Sequence, residues 1–278
     1  MSAEGFWHAR WRLLVRLYDR IDSADLNLAA AGIAFYGFLA IFPAVAALIA
    51  IWGWASDPSV IRAQIDLAAD FLPEQAYALF RGQVEALLAA NSRHLGWASL
   101  FTTGAAIWSA RAGVAALIRG LNATHRLPNR MGPWHIVRAI VLTLTLVGVG
   151  LVAMLLSVVA PLVLNVIPLG DFNQRVLELA NVAVGMLVVI FGVALVYRLG
   201  PNRPKGSPKP VVTWGLLTAV TLWALASRAL VFYLANFANY NEVYGSIGAV
   251  VALLVWLYLS AFAVLLGAAV DAVRAAPH

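Results

Sequence analysis

Six long apolar stretches separated by short polar segments set the pattern of this chain: residues 29–54, 97–119, 136–167, 176–199, 211–237 and 245–273. Each is at least as long as the ~20 apolar residues a helix needs to cross a bilayer. None shows the alternating polar face of a surface helix in a soluble domain. The pattern predicts an all-α polytopic membrane protein with six transmembrane helices in one integral membrane domain. The first span opens on a small-residue run, Ala29-Ala30-Ala31-Gly32, which permits close helix contact. Pro43 inside it removes one backbone hydrogen bond and predicts a kink, with Tyr36 seven residues earlier on roughly the same face. The third span exceeds a minimal crossing and runs into Pro161 and Pro168, so tilt or a break is expected.

Two stretches have a different period. Residues 7–27 alternate apolar and basic positions at helical spacing: Trp7, Trp11, Leu14, Leu17, Tyr18 and Ile21 share a face, and Arg10, Arg12, Arg16 and Arg20 decorate the rest. That is the composition of an amphipathic helix lying at a membrane surface. Residues 56–96 are the one long hydrophilic stretch. Pro58 and Pro73 sit where two helices would start, and apolar stripes follow each (Ile61, Ile65 and Ala68, then Tyr77, Phe80, Val84 and Leu87). The stretch is expected to form amphipathic extracytoplasmic helices capping the membrane domain, being too short to fold alone.

Composition agrees with the pattern. Of the residues, 62% are hydrophobic and 12% charged, about half the charge share of a soluble domain. The net charge of +6 suggests nucleic acid at first sight, but its distribution gives another cause. Counted over the loops, Arg10, Arg12, Arg16, Arg20, Arg119, Arg126, Arg130, Arg138, Arg198, Arg203, Lys205, Lys209 and Arg274 fall on the side of the termini. Only Arg62, Arg81, Arg93 and Arg175 fall on the other. That bias is the positive-inside signature, so both termini are expected in the cytoplasm and no nucleic-acid partner is required. With no cysteine, disulfides and thiol chemistry are excluded.

The two remaining basic residues, Arg111 and Arg228, lie within spans. An arginine at that depth costs ~2.5 kcal/mol or more. Arg111 comes ~21 Å along the second span, and Arg228 ~25 Å along the fifth, which runs the other way. No acidic residue lies within the apolar core of any span; Asp271, at the cytoplasmic end of the last, is the nearest candidate partner for Arg111 or Asn122. Arg228 is equally served by snorkelling to headgroups, and Arg111 by backbone carbonyls at a broken helix. The sharper reading is a cationic lining for an anionic substrate. Thr102, Thr103, Ser109, Thr143, Thr145, Asn181 and Ser227 at span depth suit interhelical hydrogen bonds.

Catalytic signals are weak. The five histidines show no metal-ligand spacing, no acidic pair is placed to hold two metals, and G-x-S-x-G is absent. No enzyme activity, metal or cofactor is expected.

Several blocks carry a resemblance. These are Ala29 to Tyr36 with Pro43; Trp108-Ser109-Ala110-Arg111, then Leu121-Asn122; Tyr197 and Pro201 before a basic loop; Tyr244-Gly245-Ser246-Ile247-Gly248-Ala249-Val250; Trp256 to Ser260; and Gly267-Ala268. Over about residues 10–273 the chain resembles the YihY/BrkB family of bacterial inner-membrane proteins, once labelled ribonuclease BN. The resemblance implies six transmembrane helices, cytoplasmic termini, and structural roles for Pro43, Tyr244, Gly245 and Gly248. It also implies links to envelope-lipid movement, serum resistance and cation exchange. The family commonly places Glu after the final Gly-Ala; here that position is Ala269, and an acid follows only at Asp271.

The reading reached from these residues is a transporter or flippase-like protein. It moves an anionic lipid or envelope component through a polar cleft lined by Arg111, Tyr36, Asn122 and Arg228, with Asp271 near its inner end. The alternatives are a cation or proton exchanger using Asp271, and a non-transporting scaffold acting through residues 56–96. Membrane lipids are the expected partners. Small-residue faces such as Ala112 and Ala116 suit packing within one chain or between two copies.

Overall fold

The computed structural model describes residues 3–55, 66, 77–78, 81–82, 84–85, 97–129, 132–166, 173–204, 211–236 and 240–275. Among these residues the regular structure is entirely helical. The long helices are α1 (Ala3–Ser23), α2 (Leu26–Ala55), α3 (Trp97–Thr124), α4 (Pro133–Val166), α5 (Asn173–Leu199), α6 (Trp214–Asn236) and α7 (Tyr240–Ala275). The few described residues of the 56–96 stretch are helical, with the Tyr77 hydroxyl donating to Asp66 Oδ1 at 2.7 Å and Arg81 pairing with Glu85 at 3.1 Å. The rest of that expected cap lies outside the described residues.

Sequence expectation and structure differ mostly at helix ends. The surface helix expected over 7–27 breaks at Ala24–Asp25. There Asp25 takes a left-handed φ of 46°, and α2 leaves at 52° to α1. The Ala24 and Asp25 amides are satisfied by Arg20 and Asp22 carbonyls, so the turn costs no unpaired group. The second helix continues to Thr124, whose hydroxyl bonds back to the Gly120 carbonyl at 2.8 Å. α4 starts on Pro133, where a missing amide costs nothing, and passes through Pro161 without ending. α6 starts three residues later than the pattern suggested, because Thr213 Oγ1 accepts from Leu216 N–H at 3.0 Å and so caps it.

Consecutive helices α2 to α7 pack side by side, and α7 returns against α2 and α3, closing a ring. α1 lies across one end, against α7 and α2. The main core cluster joins the start of α2 (Leu26, Ala30), the end of α3 (Leu121), the end of α5 (Val196, Tyr197), the start of α6 (Leu216, Ala219) and the end of α7 (Leu265, Ala268, Ala269). Starts meeting ends means the helices alternate in direction. This described core therefore sits at the end of the bundle where α1 and the end of α7 meet, called here the terminal end.

Small residues set how closely the helices approach. Gly113 on α3 lies against the backbone of Tyr36 and Gly37 on α2. Gly215 on α6 and Gly267 on α7 touch backbone to backbone. Farther along the same pair, Trp223 Nε1 donates to Ser260 Oγ (3.1 Å) and Trp256 Nε1 to Ser227 Oγ (3.2 Å). The two indoles meet edge to face. Ser227 thus does make the interhelical bond expected of polar residues at that depth.

Three helical segments are long and apolar enough to cross a membrane among the described residues: Val182–Leu199, Trp214–Leu234 and Val250–Ala275. The bundle also shows large apolar side chains outward, including Leu28, Leu187, Phe191, Leu225 and Phe232. In water such a surface would aggregate; in hydrocarbon it is the solvent-matched face.

Candidate functional site

Arg111 stands near the middle of α3. Its guanidinium lies over the Trp108 ring, 4.2 Å from the centroid. The spacing of three residues puts the two side chains on one helix face. Trp108 is itself exposed (58%). Arg111 Nε is buried and finds no acceptor among the described residues. An indole face offers a desolvated cation ~2 kcal/mol, but it does not supply the hydrogen bond that Nε lacks.

Tyr36, half exposed on α2, packs edge-on against Phe35. Its backbone is held against Gly113, two residues from Arg111. The α2–α3 contact thus places Tyr36 and Arg111 at similar depth.

The other expected site residues go elsewhere: the cleft expected to be lined by Arg111, Tyr36, Asn122 and Arg228, with Asp271 near its inner end, is not assembled as one lining among the described residues. Asn122 is fully buried, and both ends of its amide are engaged. Nδ2 donates to Asn129 Oδ1 at 3.0 Å, and Oδ1 accepts from the Asn202 N–H at 2.8 Å. It fastens the α3–α4 turn to the strap after α5 and has no free face for a substrate. Arg228 stands on an exposed stripe of α6 with Leu225 and Phe232, across the ring from α3. That placement suits snorkelling, because its flanking side chains are apolar and exposed. Asp271 accepts from the Gly215 N–H at 2.7 Å. A carboxylate on the first turn of α6 offsets unpaired amides and the helix dipole, so Asp271 serves as a cap contributed by a neighbouring helix. Pro43 lies in α2 and Tyr244 and Gly245 in α7, but their side chains are outside the described residues; Gly248 is a partly buried position of α7.

One residue that sequence reasoning counted only as a loop charge holds the terminal end together. Arg138, near the start of α4, donates from Nε to the Leu199 carbonyl (2.9 Å) and from Nη2 to the Pro201 carbonyl (2.7 Å). Its Nη1 donates to Asn202 Oδ1. Asn202 in turn donates to the Pro128 carbonyl at 3.2 Å. These partners lie more than sixty residues away in sequence, and no local pattern announces them.

His125, in the turn after α3, is mostly buried. Burial is the main cause holding its pKa below the ordinary 6.5; Arg203 and Arg20 act the same way, while the Leu121 carbonyl and Asp271 oppose them. The folded state therefore favours the neutral ring. Above pH 6.5 the imidazole is neutral folded or unfolded and costs nothing. As pH falls through 6.5 the unfolded chain takes up the proton first, and stability declines. Thermal unfolding in detergent is expected at a lower temperature at pH 5.5 than at pH 7.5, with a shallower pH slope in His125→Gln. An identical slope in the two proteins would remove His125 from the effect.

The family model described as virulence factor BrkB matches residues 17–277. The ribonuclease-like protein YfkH of Bacillus subtilis is 29% identical over 265 residues, covering 93% of this chain and 94% of that protein. A UPF0761 membrane protein of Tolumonas auensis is 24% identical over 278 residues, covering 95% of this chain and 82% of that protein. Another, from Aeromonas salmonicida, is 45% identical over a segment of 74 residues, about a quarter of either chain. No solved structure matches. With a family match over nearly the whole chain, membrane-protein relatives along the same length, and apolar helices facing outward, this chain belongs to the BrkB virulence-factor family of membrane proteins.

Proposed function

We propose that the protein handles an anionic lipid or envelope component at membrane depth, and that Arg111 is the group that receives its negative charge. One observation carries this reading: a guanidinium stacked on an exposed indole, with a buried Nε lacking an acceptor among the described residues. A cation held there without a carboxylate among the described residues is unfavourable alone and becomes favourable when an anion arrives. Tyr36 lies at the same level and lines the approach. In this reading all six helices α2 to α7 cross the inner membrane, with the terminal end in the cytoplasm. The Lys and Arg distribution supports that orientation. The protein acts as a translocator and not as an enzyme. The exchanger alternative loses weight because Asp271, the acid it would use, is engaged as the α6 cap.

The test is headgroup translocation in proteoliposomes carrying a fluorescent anionic phospholipid. Arg111→Ala is expected to slow translocation about tenfold or more, the factor that ~1.4 kcal/mol of lost interaction produces. Arg111→Lys is expected to fall between, since it keeps the charge but loses the planar stack. Equal rates in wild type and Arg111→Ala sink the proposal. RNA cleavage by nuclease-free preparations of the wild type would replace it with an enzymatic reading.

A further inference from the structure

A second cationic cluster, apart from Arg111, is assembled at the terminal end from three separate elements. Arg20 comes from the last turn of α1, Arg126 from the turn after α3, and Arg203 from the strap between α5 and α6. His125 stands among them, its Nε2 3.4 Å from Arg203 Nη2 and its Nδ1 3.1 Å from the Leu121 carbonyl.

The backbone is shaped to bring these groups together. Arg126 holds a left-handed φ of 54°, a conformation that disfavours side chains other than Gly, Asn and Asp. The 52° elbow between α1 and α2 lays one face of α1 onto the bundle, with Leu17 and Ile21 packed against the core. Trp11, Leu14 and Tyr18, on the adjoining outward side of the same apolar stripe, are each at least 60% exposed. Arg20 lies on the inner face, beneath α1, where the sequence had suggested only a decorated outer surface. Its Nη1 is buried and meets no acceptor among the described residues. Burial, and after it the charge of Arg126, lowers its pKa. The acid that bears on His125 is Asp271, and that carboxylate is occupied by Gly215. Like charges gathered at a buried, unfilled donor are unfavourable unless something negative joins them.

We propose that the space between α1 and the α3–α4 turn binds a phosphate-bearing anion, held by Arg20 and Arg126 with His125 and Arg203 on its wall. Two guanidiniums from different elements present planar sets of donors, and a tetrahedral phosphate has enough oxygens to accept from both at once. The apolar outer face of α1 sets the site at headgroup level in the leaflet at the terminal end. A phospholipid headgroup and a soluble phosphate share this chemistry. The site is independent of whether anything crosses the membrane at Arg111.

The experiment uses the purified full chain and reads its thermal unfolding temperature in three series. One adds phosphatidylglycerol in mixed micelles, one adds phosphatidylcholine at the same level, and one adds inorganic phosphate. Wild type is expected to be stabilised by phosphatidylglycerol over phosphatidylcholine. Arg20→Gln and Arg126→Gln should require about tenfold more lipid for the same shift, the loss expected of one charge-assisted contact. Arg198→Gln, an exposed arginine at the same end, should behave as wild type. If Arg20→Gln fails to fold, Arg126→Gln, on the exposed turn, carries the comparison. Stabilisation by inorganic phosphate that is lost in these variants identifies a soluble anion as occupant, and a response to the lipid alone identifies the headgroup; either sustains the site. Shifts that are the same in wild type and both glutamine variants overturn it, as does the absence of any shift with either phosphate source. Repeating the series in an Arg111→Ala background, where lipid at the α3 site no longer contributes, keeps failure here separable from failure of the translocation reading.

Discussion

Replacing Gly267 with alanine is expected to lower the unfolding temperature by about 5–10 °C. A Cβ at that position would collide with the Gly215 carbonyl oxygen and the Tyr197 hydroxyl, and would lie 2.7 Å from Ala219 Cβ. The carbonyl belongs to a helix backbone and cannot swing aside. The hydroxyl is committed to the Val264 carbonyl at 2.6 Å. Overpacking of this kind costs about 1–3 kcal/mol where side chains can adjust, and more where they cannot. The matching change at Gly215 should behave alike, since its Cβ would lie 2.5 Å from the Asp271 carboxylate and disturb the α6 cap as well. Gly192→Ala, where nothing lies within 4 Å, supplies the control and is expected to be neutral or mildly stabilising, because alanine is the better helix former. Thermal unfolding followed by tryptophan fluorescence checks all three. A Gly267→Ala protein as stable as Gly192→Ala would mean that α6 and α7 do not cross where these glycines place them.

Arg138→Leu is expected to cost about 3–5 kcal/mol, comparable to breaking a buried ion pair by removing one partner. Three donors disappear together, and the acceptors they leave on Leu199, Pro201 and Asn202 are at least partly buried. The loss should also loosen the neighbouring Asn122–Asn202 bond, so its effect will not add simply to that of Asn122→Ala. Arg138→Lys should recover less than half, since one ammonium cannot reach three acceptors arranged around a planar fork. Amide hydrogen exchange over residues 199–204 and the unfolding temperature would register the change. Unaltered exchange in Arg138→Leu would show that the strap is held by something other than this guanidinium.

These two predictions mark where the sequence was and was not legible. The apolar runs announced long helices because a bilayer fixes both their length and their composition. The helix ends were less visible. The Asp22-Ser23-Ala24-Asp25 stretch carries helix-starting and turn-forming residues alike, so its sequence does not single out Asp25 as the break. Arg111 was conspicuous, because one charge in an apolar run stands out. Its partner was within reach too, since Trp108 precedes it by three residues and shares its face. Asn122, Asp271 and Arg138 were misjudged for one reason. Their partners Asn202, Gly215 and Leu199 lie fifty-six to eighty residues distant, and neither periodicity nor charge counting carries information across that distance. Asn122 and Asp271 were therefore assigned to a substrate path, and Arg138 to a loop charge, when all three tie neighbouring elements together. For Arg228 the sequence left a substrate path and snorkelling equally open, because its outward direction on α6 could not be known.

The cluster of fixed contacts at the terminal end has a mechanical consequence. Gly215 against Gly267, Arg138 against the strap and Asn122 against Asn202 all lie within a few turns of the same helix tips, so they form a hub from which the helices extend as levers. A helix of ~30 residues is ~45 Å long, and a rotation of about 10° at such a hub displaces its far tip by about 8 Å. Rotations of that size, too small to break the hub, are enough to splay the opposite rim by more than the width of a lipid chain.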